Sequence, residues 1–199
     1  RELADWFGGV RARYGDRMRC GRGCAACCRG LFDVPAPDAL RVAAGFARLA
    51  PGVSRQVRRR AAPLQAGILR ESPPLASPFF LHRLPEAALD RLAGLFDADP
   101  CPFLGEGDAC LIYDFRPMAC ILEGVPMVDR TDGPFDDWCG LNFTGGIDRA
   151  VAADLGLDYG AIEGALARAG RGQGPGLPAL PGGEATVWIP SIVAASGAG

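Results

Sequence analysis

The chain has 199 residues, of which 49% are apolar and 22% are charged, and its formal net charge is −2. This length is enough for one globular domain with its own core, and the near-neutral charge favours neither nucleic acid nor an anionic membrane as a partner. No stretch approaches the roughly 18 apolar residues of a membrane span, and no secretory signal follows Arg1. We therefore expect a cytoplasmic protein with no membrane and no nucleic-acid partner.

Apolar residues recur at helical spacing along most of the chain. The segments that this spacing predicts to be helical are 3–14, 38–49, 64–70, 85–96 and 159–169. In the second segment Leu40, Ala44 and Ala47 share one face. In the fourth, the stripe that includes Leu92 and Leu95 is expected to be buried.

The remaining apolar stretches predict a small amount of β structure. Residues 101–104 and 110–113 flank the turn-prone sequence GEGDA, which predicts a short hairpin. A Gly/Pro-rich linker is expected at 170–183, and residues 184–199 are expected to dock back on the body as a short strand. The predicted fold class is mainly α with a small irregular β hairpin, in a single loop-rich domain over residues 1–169.

Eight cysteines form two groups of four, one within nine residues and one spread over 39. Thiolates two or three residues apart in a Gly-containing loop can converge on one ion at about 2.3 Å. Without a secretory signal, clustered thiols favour metal or redox chemistry over disulfides. The candidate metal ligands are Cys20, Cys24, Cys27, Cys28, Cys101, Cys110, Cys120 and Cys139.

The cysteine pattern leaves the number of metal centres open. Eight thiolates suffice for two four-cysteine sites, for one iron–sulfur cluster with the other cysteines structural, or for two clusters. The thiols of the adjacent Cys27 and Cys28 are expected to point in different directions, one of them toward a second site or a larger cluster. Taken singly, a cysteine such as Cys110 could instead be an ordinary core residue. The leading hypothesis brings both groups together around metal, with Cys139 completing the set.

Arginines supply two further candidates. Arg116 precedes Cys120 closely enough to donate hydrogen bonds to a cluster sulfur, and a structural pair with Asp114 or Glu123 is the alternative. The run of Arg55, Arg58, Arg59 and Arg60 predicts a solvated helix face, or else a docking patch for an acidic partner or RNA.

Three motifs, in order, resemble the CxxCxxCC "putative zinc- or iron-chelating domain" family, also called the YkgJ-type cysteine-cluster family. They are CGRGCAACC at 20–28, CPFL at 101–104, and the segment from Cys110 to Cys120 with Tyr113 and Arg116. The resemblance spans residues 20–139. The sequence departs from the family pattern by a three-residue first gap and by Ile121 where the family usually has arginine.

This resemblance implies a bacterial metal-binding protein whose cysteines chelate zinc or iron. A 4Fe-4S cluster is the first candidate cofactor, with Tyr113 and Arg116 beside it. The same domain occurs in flagellin lysine methylases, so the resemblance also implies a redox or protein-modification role. The fold would then be organised around cysteine-ligated metal. The alternative is a non-catalytic, zinc-stabilised interaction module that binds a protein partner.

Overall fold

The computed structural model describes residues 2–76, 79–130, 133–134, 138–170 and 186–196. Its helices are α1 Glu2–Tyr14, α2 Ala36–Ala47, α3 Pro51–Glu71, α4 Glu86–Leu95, α5 Met118–Leu122, α6 Arg149–Leu155, α7 Tyr159–Gly170 and α8 Ile189–Ala195. The strands are β1 Asp33–Pro35, β2 Val128–Asp129, β3 Gly133–Pro134 and β4 Thr186–Trp188. The fold class is therefore mainly α with small β elements, as predicted. Across these residues, no helix combines the length and the apolar character needed to cross a membrane.

Helix α3 is much longer than the predicted segment 64–70. It begins with Pro51 in its first turn, where a missing backbone N–H costs nothing, and it continues through Pro63. Its buried stripe starts at Val57 and Ala61, well before Leu64. The prediction was too short because this stripe is narrow and lies between arginines.

The predicted apolar face of α2 lies in solvent, whereas the predicted stripe of α4 is wrong only at Leu95, since Leu89 and Phe96 pack with the buried Leu92. Leu95 is 55% exposed and Leu40 is 43% exposed, whereas Leu92, Val42 and Phe46 are buried. Each of these surface helices contacts the body along one stripe, so an apolar residue beside that stripe stays in solvent. The Leu40 face of α2 is consequently the outer one.

The C-terminal segment docks on the body through β4 and α8. Strand β4 pairs antiparallel with β1, with Val187 opposite Val34, and α8 packs against α2 and α3. The strand expected in this segment is present, but Pro190 in the next turn starts a helix. The predicted linker at 170–183 lies outside the described residues except for Gly170, so the division of the chain at 169 and 183 stays a prediction.

Two residues of the arginine run bind backbone carbonyls. Arg58 donates to the carbonyls of Val193 (3.4 Å) and Ser196 (3.1 Å) at the end of α8, and Arg60 donates to the carbonyl of Leu104. The interpretation of the run as a purely solvated face is therefore wrong for Arg58, which is partly buried, whereas Arg60 stays exposed. Arg58 satisfies carbonyls that the helix itself leaves without partners.

The predicted hairpin at 101–113 is reduced to one antiparallel bridge between Leu104 and Cys110. A single 3-10 turn at Glu106–Asp108 reverses the chain. Backbone hydrogen bonds on both sides of the bridge keep the two arms together, one from Gly105 to Ala109 (2.7 Å) and one from Leu111 to Phe103 (2.9 Å).

Two apolar cores flank the cysteines. The α3–α8 core consists of Val34, Val42, Phe46, Val57, Ala61, Phe103, Ile112, Ile189, Ile192 and Val193. The α1–α6 core consists of Phe7, Val10, Met18, Ile121, Val125, Val128, Phe143, Val151 and Leu155. Cys101, Cys110 and Cys120 pack against the first, and Cys20 packs against the second. The cysteines therefore lie where the two cores meet.

Candidate metal centre

The first cysteine group lies on a loop that turns back on itself twice. The backbone N–H of Cys24 donates to the carbonyl of Gly21 (3.2 Å), and that of Cys28 donates to the carbonyl of Ala25 (3.0 Å). Between them Gly23 has φ +86°, a left-handed conformation that glycine adopts without strain. These turns shorten the loop, so four thiols occupy a small volume.

Backbone bonds and one ion pair join this loop to the second cysteine group. The N–H of Cys101 donates to the carbonyl of Cys28 at 2.9 Å, and that of Gly30 donates to the carbonyl of Asp99 at 2.8 Å. Arg22 donates to both carboxylate oxygens of Asp114, at 2.7 and 2.9 Å. Residues about 70 to 90 positions apart in sequence therefore meet at the site.

Seven of the eight cysteines line one cavity of about 50 Å³. A water-sized body needs about 10–15 Å³, so the cavity has room for more than a single ion. The cysteines are Cys20, Cys24, Cys27, Cys28, Cys101, Cys110 and Cys120. Most of the remaining wall is apolar or aromatic, and includes Phe32, Phe103, Ile112, Tyr113, Pro117 and Ile189.

Cys27 and Cys28 both line the same cavity, and the different directions expected for their thiols stay a prediction. A hydrogen bond of the Cys27 thiol to Cys28, followed by burial, raises the pKa of Cys27. The negative charges of Cys28 and Glu123 act in the same direction.

The three thiols on the α3–α8 core are held in the neutral form by their surroundings. Burial raises the pKa of Cys101 to about 12. It also raises the pKa of Cys120, with Cys101, Cys110 and Cys27 adding to the effect. At Cys110 burial again raises the pKa, while the N–H of Ile112 and the charge of Arg116 oppose it. A bound cation would reverse this balance because it stabilises thiolate.

Tyr113 and Arg116 both lie on the wall of the cavity, as the resemblance implies. The Arg116 guanidinium lies 3.7 Å from the centre of the Tyr113 ring, and its Nε donates to the Tyr113 carbonyl at 3.1 Å. Asp114 is ion-paired with Arg22, so the alternative structural pair between Arg116 and Asp114 does not form. A positive charge therefore stands beside the thiols.

Cys139 is outside the wall of the cavity, so the cavity does not include the whole predicted set. Its N–H donates to the Glu123 carbonyl at 3.1 Å. Burial raises the pKa of Cys20, a hydrogen bond from Asn142 lowers it, and Cys24, Cys27 and Cys139 raise it further. Cys139 thus lies close enough to Cys20 to raise the pKa of its thiol.

Sequence reasoning missed two residues at this end of the site, Asn142 and Gly124. Asn142 is fully buried and its side-chain amide donates to the Cys20 sulfur at 3.0 Å. A Cβ added to Gly124 would lie 2.1 Å from the same sulfur. The available signal was that Asn142, three residues after Cys139, is the only asparagine in the chain.

The donor set fits zinc or iron by its chemistry. Thiolates are the preferred ligands of structural zinc and of iron–sulfur clusters. Among the described residues, no three His, Cys, Asp or Glu side chains already stand at the spacing of a closed metal site. Metal binding would therefore require the thiols around the cavity to converge further.

These features define a thiol-rich metal-binding site on a small helical domain. The chain belongs to the CxxCxxCC family, described as a "putative zinc- or iron-chelating domain", whose model matches residues 19–140. This match begins beside Cys20 and ends beside Cys139, so it contains all eight cysteines. No curated protein and no solved structure matches the chain.

Proposed function

We propose that the protein binds an iron–sulfur cluster, of the 4Fe-4S type, through its cysteines. The observation that carries the proposal is that seven thiols from separate stretches of the chain line a single cavity. A 4Fe-4S cluster takes four thiolates and is larger than a single ion, in keeping with the number of thiols and the room in the cavity. The apolar part of the wall would limit the access of water to the cluster.

The eight cysteines divide into two neighbouring sets in this proposal. Cys101, Cys110 and Cys120 form one set on the α3–α8 core, and we assign Cys27 to it as the fourth ligand. Cys20, Cys24 and Cys139 form the other set, because Cys24 and Cys139 both raise the pKa of Cys20. Cys27 raises that pKa too, so Cys27 is a neighbour of both sets. Cys28, next to Cys27 on the cavity wall, supplies the remaining thiol.

Arg116 and Tyr113 are the residues beside the cluster in this proposal. The Arg116 guanidinium would offset part of the charge of the thiolates, and such a charge raises the reduction potential of an iron–sulfur cluster. Its stack on Tyr113 at 3.7 Å fixes the guanidinium at the wall. This arrangement supports a redox or protein-modifying role.

Metal and sulfide analysis of the anaerobically purified protein tests the proposal. We expect about four iron atoms and four acid-labile sulfides for each four-cysteine set that holds a cluster, with a broad visible absorption band. Cys120→Ser should lose both, while Ala119→Ser, on the same helix, should keep them. A protein with no bound metal and no sulfide would contradict the proposal.

Zinc in two closed four-cysteine sites is the second candidate, and one observation favours it. Cys139 lies outside the cavity but affects Cys20, as expected if the thiols divide between two sites. This candidate predicts about two zinc ions per chain with no sulfide. That result would support a non-catalytic interaction module in place of a cluster protein.

A further inference from the structure

We propose that Asn142 is a positioning residue of the metal centre, which holds the Cys20 sulfur in place as a ligand and fixes the Cys139 segment next to it. The inference rests on the proposed metal-binding function, and it concerns residues that the cysteine motifs do not contain.

The side chain of Asn142 is fully buried and every one of its polar groups has a partner. Its Nδ2 lies 3.0 Å from the Cys20 sulfur and 2.5 Å from the Gly124 carbonyl oxygen. Its Oδ1 accepts the backbone N–H of Arg19 at 2.6 Å. Because only the oxygen can accept from Arg19, the amide has one orientation and directs an N–H at the sulfur.

The backbone of Asn142 joins Cys139 to the Cys20 segment. Its N–H donates to the Cys139 carbonyl at 2.9 Å, and its carbonyl accepts the indole N–H of Trp138 at 3.0 Å. The next N–H, that of Phe143, donates to the carbonyl of Arg17 at 2.8 Å. The positions of Cys20 and Cys139 are therefore coupled through one residue.

Gly124 confines the same sulfur from another side. Any side chain at this position would place a Cβ 2.1 Å from the Cys20 sulfur, far inside contact distance. Its carbonyl is also the second acceptor of the Asn142 amide. Cys20 therefore lies between a glycine that leaves it room and an amide that orients it.

A hydrogen bond from an amide to a sulfur stabilises the thiolate that binds metal. Groups that orient a ligand in this way often contribute on the order of 10- to 100-fold to metal affinity. The chain has no second asparagine, and this one lies fully buried at the cysteines. The geometry thus gives Asn142 a specific task in ligand orientation.

Replacement of the amide by a carboxyl group of the same shape tests this task. Asn142→Asp removes both N–H donors, so we expect metal-free protein titrated anaerobically with Co²⁺ to bind about 10- to 100-fold more weakly. The thiolate-to-cobalt absorption per bound ion should also fall. Gln65→Glu, another buried amide, which accepts from Ser191, is the matched control and should keep the wild-type titration.

A second pair of variants covers the case in which Asn142→Asp does not fold. Because Gly124 has no left-handed φ, Gly124→Ala is opposed only by its contacts, chiefly the Cys20 sulfur, and should reproduce the weaker titration. Gly140→Ala adds a Cβ with nothing within 4 Å and should match the wild type. In a Cys20→Ala background, Asn142→Asp should have no further effect on Co²⁺ affinity.

Wild-type affinity and absorption in both Asn142→Asp and Gly124→Ala would overturn the inference and leave the metal-binding proposal intact. The inference would also be overturned if Asn142→Asp still lowered Co²⁺ affinity about 10-fold in the Cys20→Ala background. Absence of any thiolate-to-cobalt absorption in the wild-type protein would instead contradict the metal-binding proposal, and the inference with it.

Discussion

The two sides of the cysteine site position their thiols by different means. On the core side, which comprises Cys101, Cys110 and Cys120, the thiols pack against the α3–α8 core. On the clamp side, which comprises Cys20 and Cys139, a buried amide donates to one sulfur and holds the other segment. Apolar packing excludes water but has no preferred direction, whereas a hydrogen bond also fixes orientation. The core side therefore excludes water from the site, and the clamp side orients the Cys20 sulfur.

Removal of metal should have the largest effect, and it should be greatest on the clamp side. Thiolate sites contribute on the order of 10 kcal/mol of apparent binding free energy, which becomes folding free energy. We expect the protein to unfold at a lower denaturant concentration after a chelator has removed the metal. Backbone amides near Cys20 and Cys139 should then lose hydrogen-exchange protection before those of α3. Equal unfolding with and without chelator would contradict this expectation.

Truncation of the core side should have the next largest effect. Phe103 is 1% exposed and packs edge-on against Phe46, so Phe103→Ala should cost about 3–5 kcal/mol of unfolding free energy. The measurement is chemical unfolding of the metal-free protein. Leu95→Ala, at a residue 55% exposed, is the control and should change stability by less than about 0.5 kcal/mol. A similar cost for both variants would show that the core side is not tightly packed.

Asp38 should give the core side a pH dependence that the clamp side lacks. Its carboxylate accepts the N–H of Met118 at 2.6 Å, where the helix carrying Cys120 begins, yet burial raises its pKa despite that bond and Arg41. A raised pKa means that the contribution of this group is fully present below its unfolded pKa and is lost as pH rises through its folded pKa. Asp38→Asn should therefore be more stable than wild type at pH 7.

The gain from Asp38→Asn should disappear below about pH 4, near the ordinary pKa of an aspartate. Chemical unfolding of both proteins at the two pH values provides the measurement. A gain of the same size at both would mean that the carboxyl group does not titrate as described. On the clamp side burial raises the pKa of Cys20 further above this pH range, so that side should show no matching change between the two pH values.

The ion pair that directly links the two cysteine groups should have the smallest effect. Arg22 and Asp114 have side chains that are 63% and 75% exposed, and exposed pairs contribute about 0–1 kcal/mol. Asp114→Asn should lower unfolding stability by less than about 1 kcal/mol, and added salt should lessen the difference. If Asp114→Asn lowered the free energy of unfolding by more than Phe103→Ala does, polar links would contribute more to stability than core packing, contrary to this account.

The sequence was informative where a local pattern determines the structure. Helices α1, α2 and α4 follow from apolar residues at helical spacing, because such a stripe must be buried against something. Which neighbour covers the stripe is a tertiary property, and for that reason Leu40 and Leu95 were predicted on buried faces and lie in solvent. The path of the loop that carries Cys27 and Cys28 depends on two backbone turns that residue types alone do not specify.

The candidate site could be predicted in composition but not in arrangement. Cysteine spacing identifies candidate donors, because close thiols in a glycine-containing loop have few other uses in a reducing compartment. Asn142 could not be identified in this way, since its partners Cys20 and Gly124 lie 122 and 18 residues away. A single amide has no periodicity, and only the folded chain gives it a role.

X-ray absorption at the edge of the bound metal tests the central claim most directly, because it reports the atoms that touch the metal. Thiolate ligation predicts a first shell of sulfur alone at about 2.3 Å, with iron neighbours beyond it if the centre is a cluster. A first shell dominated by oxygen or nitrogen at about 2.0–2.2 Å would contradict the account.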